Sequence, residues 1–444
     1  MMKLSTNIYF RRYLDDTVVC DTKHKNYYIM NSIVADILTI LGSGIKSSKS
    51  MANKLLEQYN ASSEEIEVVC EDFINELRQL GIVEDNISNS SLFGSNNADI
   101  ANRDIEQEFI RQLGEKKILY SALIELTYRC NLSCKHCYII NAETSNEKKE
   151  LTTQQVIKLL DDLYDNNVFR IFFTGGEVFV RSDFLEILEY AISKRFLVDI
   201  YSNGTLLSED VVRKIAQLNI RSFQSSLYGS NATVHDSITG CMGSFEATKQ
   251  TLKLFASLGV STNIKSSFMK SNFEEYEKIR AIAKNIGASF QPSFSIIPAI
   301  DGNKIALQFR VEDALIISET MGLTKHSASA NLQKHFSDQI CSAGLTGVSI
   351  DPYGDVFACN TLRIKIGNIL DSSIKDIWEN SSNLARIRAL KNEDRKQCVQ
   401  CSHFNIYNFC PGIALVETGD MLSPYAEACT IAKAYNNFRE EVRI

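Results

Sequence analysis

The middle of the chain alternates short strand candidates with longer amphipathic stretches. The strand candidates cover residues 119–126, 169–173, 197–201, 222–227, 261–265 and 289–294; the first three are largely apolar, and the last three mix apolar and polar residues. The amphipathic stretches repeat their apolar positions at helical spacing and cover residues 152–165, 183–193, 208–218, 245–258, 273–287 and 311–321. Six strand–helix units in succession predict an α/β fold whose parallel sheet curls into an open barrel. Functional residues are then expected at the carboxyl ends of the strands.

The N-terminal part of the chain follows a different pattern. Short β-like runs at residues 7–10, 17–20 and 27–30 precede helical stretches at residues 31–42, 50–59 and 62–80. The last helix opens with a capping-box pattern between Ser62 and Glu65, and Gly81 ends it. Cys70 falls on the apolar face of this helix. We interpret Cys70, like Cys20, as a small core residue.

Shifts in composition divide the chain into units. Residues 86–104 are rich in Asn and Ser, which predicts a linker. From about residue 330 the elements become shorter and cysteines accumulate. The predicted organisation is an N-terminal unit at residues 1–85, a linker at 86–115, the barrel at 116–329 and a cysteine-rich extension at 330–444.

Charge and hydropathy exclude several classes of protein. The 444 residues include 47 Lys and Arg against 54 Asp and Glu, and the net charge of −7 argues against a nucleic-acid partner. No run approaches the roughly 18 apolar residues of a membrane helix, and the start lacks a secretion signal. We therefore expect a cytoplasmic protein that does not span a membrane. In that reducing compartment, the 12 cysteines indicate metal binding or catalysis rather than disulfides.

Three cysteines follow the first predicted barrel strand directly. Cys130, Cys134 and Cys137 are spaced C-x3-C-x2-C, so their thiolates can bind three irons of a [4Fe–4S] cube and leave the fourth iron open. A zinc site is the alternative, and it would need His136, whose place between two of the cysteines makes tetrahedral closure awkward. Attachment of haem is excluded because Tyr138, and not histidine, follows the last cysteine.

This cysteine motif resembles the signature of radical S-adenosylmethionine (SAM) enzymes, in which His136 takes the position that is usually aromatic. The resemblance implies a (β/α)6 partial TIM barrel and SAM bound at the open iron, where its cleavage yields a 5′-deoxyadenosyl radical. It also implies that the SAM contacts lie at the strand ends and come from Tyr138, Gly175, Gly176, Glu177, Ser202, Asn203, Ser226 and Lys265. We interpret His235 as a structural hydrogen-bonding residue and assign no role to Cys241.

A second group of cysteines lies in the extension. It comprises Cys341, Cys359, Cys398, Cys401, Cys410 and Cys429. The spacing resembles the SPASM extension, which carries auxiliary iron–sulfur clusters in peptide-modifying radical SAM enzymes. The last four cysteines can complete one auxiliary cluster, while the first two have too few partners for a second, whose presence stays open. A zinc ribbon is the alternative interpretation.

The N-terminal unit resembles the RiPP recognition element, a small winged-helix-like α+β domain that binds the leader of a ribosomally made precursor peptide. The resemblance implies that the leader adds a strand at residues 27–30 and packs beside the helix at residues 64–80. A structural cap on the barrel is the alternative.

Together, these resemblances predict a radical SAM peptide maturase that installs a crosslink, most simply a thioether from a peptide cysteine to a carbon. Its electron donor would be a flavodoxin or ferredoxin. The alternatives are a carbon–carbon or ether crosslink on the same scaffold, an enzyme that forms formylglycine in sulfatases, and a catalytically silent iron–sulfur protein.

Overall fold

In the computed structural model, the described residues are 3–45, 47–57, 59, 62–84, 98–139, 149–322, 339–404 and 409–441. The part of the predicted linker before Ala98 lies outside these ranges. Among the described helices, none is both long enough and apolar enough to cross a bilayer.

The N-terminal domain is a small sheet covered by helices. Its elements are β1 (Lys3–Leu4), β2 (Ile8–Tyr13), β3 (Asp16–Asp21), β4 (Asn26–Asn31), α1 (Ile33–Gly42), α2 (Ser48–Leu56), α3 (Ser63–Gln79) and β5 (Val83–Glu84). Strands β2, β3 and β4 form an antiparallel sheet with β3 in the centre, and β1 pairs with β5. Alternate residues of the sheet face opposite sides, so Ile8 and Val19 pack on the helices while Tyr9 and Val18 face the barrel.

The second half of the predicted linker is a helix. This helix, α4 (Ala98–Glu115), buries Phe109 and Leu113 against the sheet. Glu106 on the same helix forms ion pairs with Arg170 and Arg221 at the base of the barrel. The helix therefore joins the N-terminal domain to the barrel, which the polar composition of the segment did not indicate.

The barrel follows the predicted order of strands and helices. Its elements are β6 (Ser121–Glu125), α5 (Thr153–Asp165), β7 (Arg170–Thr174), α6 (Phe184–Ser193), β8 (Leu197–Tyr201), α7 (Glu209–Gln217), β9 (Ser222–Ser226), α8 (Ala232–Thr239), α9 (Ser244–Ser257), β10 (Ser261–Ser267), α10 (Tyr276–Ile286), β11 (Ser289–Ser293) and α11 (Ala314–Gly322). Each of the six strands pairs in parallel with the next, which confirms the predicted α/β fold. One face of the sheet packs on the helices and forms the main core, and the other lines a polar lumen.

The C-terminal extension continues the barrel sheet. Its elements are β12 (Gly347–Ile350), β13 (Asp355–Phe357), β14 (Lys365–Asn368), α12 (Ile374–Asn380), α13 (Ser382–Ala389), α14 (Pro411–Thr418) and α15 (Ala426–Glu441). Strand β12 pairs in parallel with β6, and β13 and β14 add an antiparallel hairpin at the edge. The first barrel strand therefore lies between the barrel and the extension, so residues at its end can contact both.

Candidate functional site

The first cysteine set lies on the loop that leaves β6 at its carboxyl end. Cys130 is exposed, and Cys134 and Cys137 are half-buried, so the set opens to one side. Burial, together with the neighbouring thiols of Cys137 and Cys130, raises the pKa of the Cys134 thiol to about 12. Neighbouring thiolates repel one another, and binding to positively charged iron would relieve this repulsion. The three cysteines therefore fit a [4Fe–4S] cube that leaves one iron open.

Helix α8, which the sequence pattern did not predict, supports this loop. The backbone N–H groups of Ser133 and Lys135 donate to the carbonyls of Thr239 and Ile238, at 2.9 and 3.0 Å. Gly240 ends the helix with φ +70°, and a Cβ there would lie 3.1 Å from the Ser133 carbonyl oxygen. The end of α8 is therefore built against the cysteine loop.

The paired glycines after β7 approach the backbone of the same loop. A Cβ on Gly175 would lie 2.2 Å from the Thr127 carbonyl oxygen, and one on Gly176 would lie 2.3 Å from the Arg129 carbonyl oxygen. The Gly176 and Glu177 N–H groups donate to these two carbonyls at 2.8 and 2.9 Å. The space that glycine provides here is filled by protein backbone, whereas the sequence interpretation assigned it to a bound ligand.

Glu177 joins the ends of β7 and β8. Its fully buried carboxylate accepts the Ser202 hydroxyl at 2.8 Å and the backbone N–H of Asn203 at 2.6 Å. Burial raises the pKa of Glu177, although these donors and the Phe179 N–H oppose the rise. The Ser202 oxygen also accepts the Gly204 N–H, so Glu177 and Ser202 act together to fix the turn after β8.

Asn203 connects this turn to the cysteine loop. Its amide donates to Asn131 at 2.8 Å and lies 3.8 Å from the Cys130 sulfur. Its oxygen accepts the backbone N–H and the hydroxyl of Thr205. Asn203 is thus a predicted SAM contact that the structure brings close to a cluster cysteine.

Tyr228 is a site residue that the sequence interpretation missed. Its ring meets the His136 ring edge-on at 4.6 Å and stacks on the His235 ring at 5.7 Å. Its hydroxyl contacts half-buried Ser226 and interacts electrostatically with the Cys134 thiol. The His235 Nδ1 accepts the Tyr228 backbone N–H at 3.0 Å, in agreement with a structural role for this histidine. A tyrosine shortly after a strand end carries no motif of its own, so the sequence alone did not reveal it.

Lys265 projects into the lumen of the barrel. Its ammonium lies 3.9 Å from the centre of the Tyr201 ring, and burial lowers its pKa to about 8. Asp199 and Arg170 are the charged groups near it. Lys265 pairs in register with Ser226, the last residue of β9, so it lies near the carboxyl end of that strand.

The Tyr138 side chain has a protein partner. Its hydroxyl donates to the buried Glu125 carboxylate at 3.1 Å, and its carbonyl accepts the Ile300 N–H. Its contact with SAM stays a prediction.

The extension divides its cysteines into two sets of three. Cys410 interacts electrostatically with Cys359 and Cys341, and burial raises the pKa of its thiol to about 11. The backbone N–H groups of Gly412 and Ile413, at the start of α14, oppose this rise. Cys341 and Cys410 also pack on one shared apolar cluster.

The other set comprises Cys398, Cys401 and Cys429. Cys398 interacts electrostatically with Cys429 and Cys401, and burial raises the pKa of its thiol while Arg395 lowers it. The sequence interpretation joined Cys410 to this set, and the structure corrects that grouping. Gly412 packs so closely on the 359–362 loop that a Cβ would lie 2.6 Å from the Thr361 carbonyl, which holds Cys410 beside Cys359.

Each set fits an iron–sulfur cluster by its donor type. Three thiolates can bind three irons of a cube, and in such a cluster each cysteine binds a different iron. Within the described ranges, no three His, Cys, Asp or Glu side chains converge closely enough to hold a single metal ion.

The fold is an open parallel barrel with a three-cysteine loop at its carboxyl end, and the extension adds two further cysteine sets. These features define an iron–sulfur enzyme that activates a ligand at an open iron. Family models support this class. Residues 124–286 match the radical SAM superfamily, residues 341–402 match an iron–sulfur cluster-binding domain (SPASM), and residues 16–83 match coenzyme PQQ synthesis protein D (PqqD).

Curated relatives include mycofactocin maturase MftC of Mycolicibacterium smegmatis, which is 30% identical over 305 residues, 63% of this chain and 75% of the relative. AdoMet-dependent heme synthase of Methanosarcina barkeri is 26% identical over 331 residues, 68% of this chain and 94% of the relative. The antilisterial bacteriocin subtilosin biosynthesis protein AlbA of Bacillus subtilis is 29% identical over 277 residues, 58% of this chain and 59% of the relative.

Among solved structures, Streptococcus suis SuiB bound to precursor peptide SuiA covers 94% of this chain and 97% of its own, with a TM-score of 0.60 and 16% identity. That likeness includes the N-terminal domain and shows a shared fold. The chain belongs to the radical SAM superfamily, in the group that carries SPASM and PqqD-type domains. Its cofactors are a [4Fe–4S] cluster with SAM and auxiliary iron–sulfur clusters.

Proposed function

We propose that this enzyme matures a ribosomally made precursor peptide, binding the leader on its N-terminal domain and modifying the core at the barrel mouth. The observation that carries the proposal is the small sheet-and-helix domain fixed to the base of a radical SAM barrel. SuiB, which shares this arrangement across 94% of the chain, was solved with its precursor peptide bound. A heme or formylglycine reaction gives no reason for such a domain.

The leader site that we propose is the outer edge of β4. Among the described strands, β4 pairs only with β3, and the added strand that we propose would lie along its other edge, beside helix α4, which also contacts β4. Ile29 on this strand is 37% exposed and offers an apolar contact. Helix α3 presents Val68, which is 61% exposed, together with the exposed acids Glu71 and Asp72. A leader that alternates apolar and basic side chains would satisfy both surfaces.

At the barrel mouth, the chain's own residues position the reactants. A [4Fe–4S] cluster with SAM at its open iron supplies a 5′-deoxyadenosyl radical, which takes a hydrogen atom from the substrate. Cys130, Cys134 and Cys137 would hold that cluster. Glu177 and Asn203 fix the turn beside Cys130, and Lys265 would bind the SAM carboxylate from the lumen.

The bond that we propose is a thioether between a peptide cysteine and a carbon. Its formation removes two hydrogens from the peptide: the radical takes one with its electron, and the other leaves as a proton while its electron must be accepted nearby. The auxiliary cysteine sets provide a place for that electron. A flavodoxin or ferredoxin would supply the electron that cleaves SAM.

The test is anaerobic reconstitution with SAM and dithionite, with and without a candidate precursor peptide that contains cysteine. We expect 5′-deoxyadenosine, and a peptide that has lost two hydrogens and one iodoacetamide-reactive thiol. A loss of two hydrogens with every thiol still reactive would favour a carbon–carbon or ether crosslink. Conversion of the cysteine to formylglycine would favour the sulfatase-type reaction.

The triple variant Cys130→Ala, Cys134→Ala, Cys137→Ala tests the site assignment in the same assay. We expect it to form no 5′-deoxyadenosine, whereas the matched control Cys241→Ala retains activity. Cleavage of SAM by the triple variant would contradict the assignment of these cysteines.

A further inference from the structure

A buried carboxylate at the end of the first barrel strand has four charged or polar contacts. Glu125 is the last residue of β6 and is fully buried. Its carboxylate accepts the hydroxyls of Tyr128 and Tyr138, each at 3.1 Å, and both oxygens accept the Arg363 guanidinium at 2.6 and 2.7 Å. Arg363 also donates to the Tyr128 hydroxyl at 3.2 Å. Glu125 and Arg363 thus form a largely buried ion pair, and the hydroxyls of Tyr128 and Tyr138 donate two further hydrogen bonds to its carboxylate.

The members of this network come from both cluster-bearing parts of the chain. Tyr128 precedes Cys130 by two residues, and Tyr138 directly follows Cys137. Arg363 lies four residues after Cys359, on the loop of the first auxiliary set. The Tyr138 hydroxyl interacts electrostatically with Glu125, Arg363 and the Cys137 thiol alike. One ion pair therefore lies between the two cysteine loops.

A small, partly open cavity lies between the two loops, with Tyr138, Thr361, Arg363 and Gly412 among its lining residues. Gly412 in turn packs on the Thr361 backbone beside Cys359 and Cys410. Glu125 is fully buried and Arg363 largely so, and charges in such surroundings interact more strongly than exposed ones.

We propose that Glu125 and Arg363 shift the reduction potential of the cluster at Cys130, Cys134 and Cys137 in opposite directions, and that their pairing cancels these shifts and fixes that loop against the first auxiliary set. The pair is neutral as a whole, so it stabilises neither oxidation state strongly. A reduced cluster carries one more negative charge than an oxidised one. Either partner alone would therefore shift the potential, the cation upward and the carboxylate downward. The proposal rests on cluster binding at these cysteines and not on the identity of the peptide.

The test compares Glu125→Gln, Arg363→Gln and the double variant in the reconstituted holoprotein. The midpoint potential is followed by EPR during a dye-mediated titration, using the signal that added SAM perturbs. We expect Glu125→Gln to raise the midpoint, Arg363→Gln to lower it, and the double variant to return it towards the wild-type value. A purely structural role would not give opposite signs that cancel.

Tyr138→Phe provides a milder variant if the charge changes impair folding. It keeps the ring and removes one neutral donor from the carboxylate, so we expect a smaller downward shift with unchanged iron content. Arg213→Gln is the matched control, because Arg213 pairs with Glu209 on the exposed face of α7. Shifts of one sign in both charge variants, or no shift at all, would overturn the proposal. Absence of a SAM-perturbed signal in the wild type would instead contradict the cluster assignment.

Discussion

Single carboxylates at strand ends position this site through hydrogen bonds to backbone groups. Glu177 is the clearest case, since it accepts from Ser202 and Asn203 at once. In Glu177→Gln, the side-chain NH2 group would face the Ser202 hydroxyl or the Asn203 N–H, which are donors themselves. Leaving such a buried group without an acceptor lowers the free energy of unfolding by about 1–3 kcal/mol. We expect a lower midpoint of thermal unfolding for the apoprotein and weaker SAM binding by calorimetry. Glu274→Gln, at an exposed position, should change neither measurement; equal effects would contradict the positioning role.

His235 gives the apoprotein a pH dependence of stability. Burial lowers its pKa from 6.5 to about 4. The folded state therefore favours the neutral ring. The free energy of unfolding is highest, as far as His235 affects it, above pH 6.5, and it decreases by up to about 3 kcal/mol as the pH falls towards 4. Urea titrations from pH 7 to pH 4 should show this loss. His235→Asn should show a weaker slope. The slope that remains includes a part of the same sign from His136, whose pKa burial lowers to about 4, and a part of opposite sign from Asp351, whose pKa burial raises to about 6. An unchanged slope would contradict this explanation.

Lys265 predicts a pH dependence of SAM binding. Its pKa is lowered to about 8 by burial, so its charge is lost as the pH rises above that value. If the ammonium binds the SAM carboxylate, the Kd should rise up to tenfold per pH unit above pH 8. Lys265→Arg keeps its charge and should flatten this rise, while Lys265→Gln should bind weakly at every pH. The same profile in all three proteins would assign the pH dependence to SAM itself.

Among the secondary-structure elements, the strongly periodic ones could be predicted from sequence and the short or polar ones could not. Strand β8 matches its predicted range because Leu197–Tyr201 is a buried run bounded by turn residues. Strand β12 has only four residues, and its partner β6 lies more than 200 positions away, so no local pattern indicates the pairing. Helix α4 begins in a polar segment and is stabilised by the sheet and the barrel it contacts.

The candidate site shows the same limit. The three cysteines and the strand-end residues could be located because their spacing and order carry chemical meaning. The division of the auxiliary cysteines depends on the packing of Gly412 against Thr361, which is a tertiary contact with no signal in the sequence spacing. The role of Tyr138 likewise depends on its hydrogen bond to Glu125. In the sequence, Glu125 is a single polar residue in an apolar strand, and nothing in the pattern indicates this contact.

Helix α3 and strand β4 together predict the chemistry of the leader. Val68, Glu71 and Asp72 lie on one exposed face of α3, so a leader bound there should carry basic residues. The double variant Glu71→Lys, Asp72→Lys should raise the Kd of the fluorescein-labelled precursor roughly tenfold and reverse its salt dependence. Glu277→Lys, on exposed helix α10, serves as the control. Binding that is unaffected by the double change would remove α3 from the leader site.

In the whole molecule, the N-terminal domain and the cluster loop lie at opposite ends of the barrel. Tyr9 and Tyr13 donate to the carbonyls of Asn219 and Asn167, in loops that precede strands β9 and β7. Arg11 donates likewise to Val168 and Lys194. The cysteine loop instead follows the carboxyl end of β6. A five-residue strand spans about 16 Å at roughly 3.3 Å per residue, so a precursor bound by its leader needs a spacer at least that long before its modified residue.

The two auxiliary sets predict how iron is distributed over the molecule. Because Cys410 lies with Cys341 and Cys359, Cys410→Ala should act on the same cluster as Cys341→Ala, and the double variant should lose little more iron than either single variant. Cys410→Ala combined with Cys398→Ala should lose as much iron as the two single variants lose together, since Cys398 belongs with Cys401 and Cys429.

Iron analysis and Mössbauer spectra of the reconstituted variants measure this additivity, with Cys241→Ala as the control. If Cys410→Ala were additive with Cys341→Ala and not with Cys398→Ala, the grouping by sequence spacing would be the correct one. The two groupings thus make opposite predictions for the same pair of double variants, because a cluster that has lost one of three protein thiolates gains little from keeping the other two.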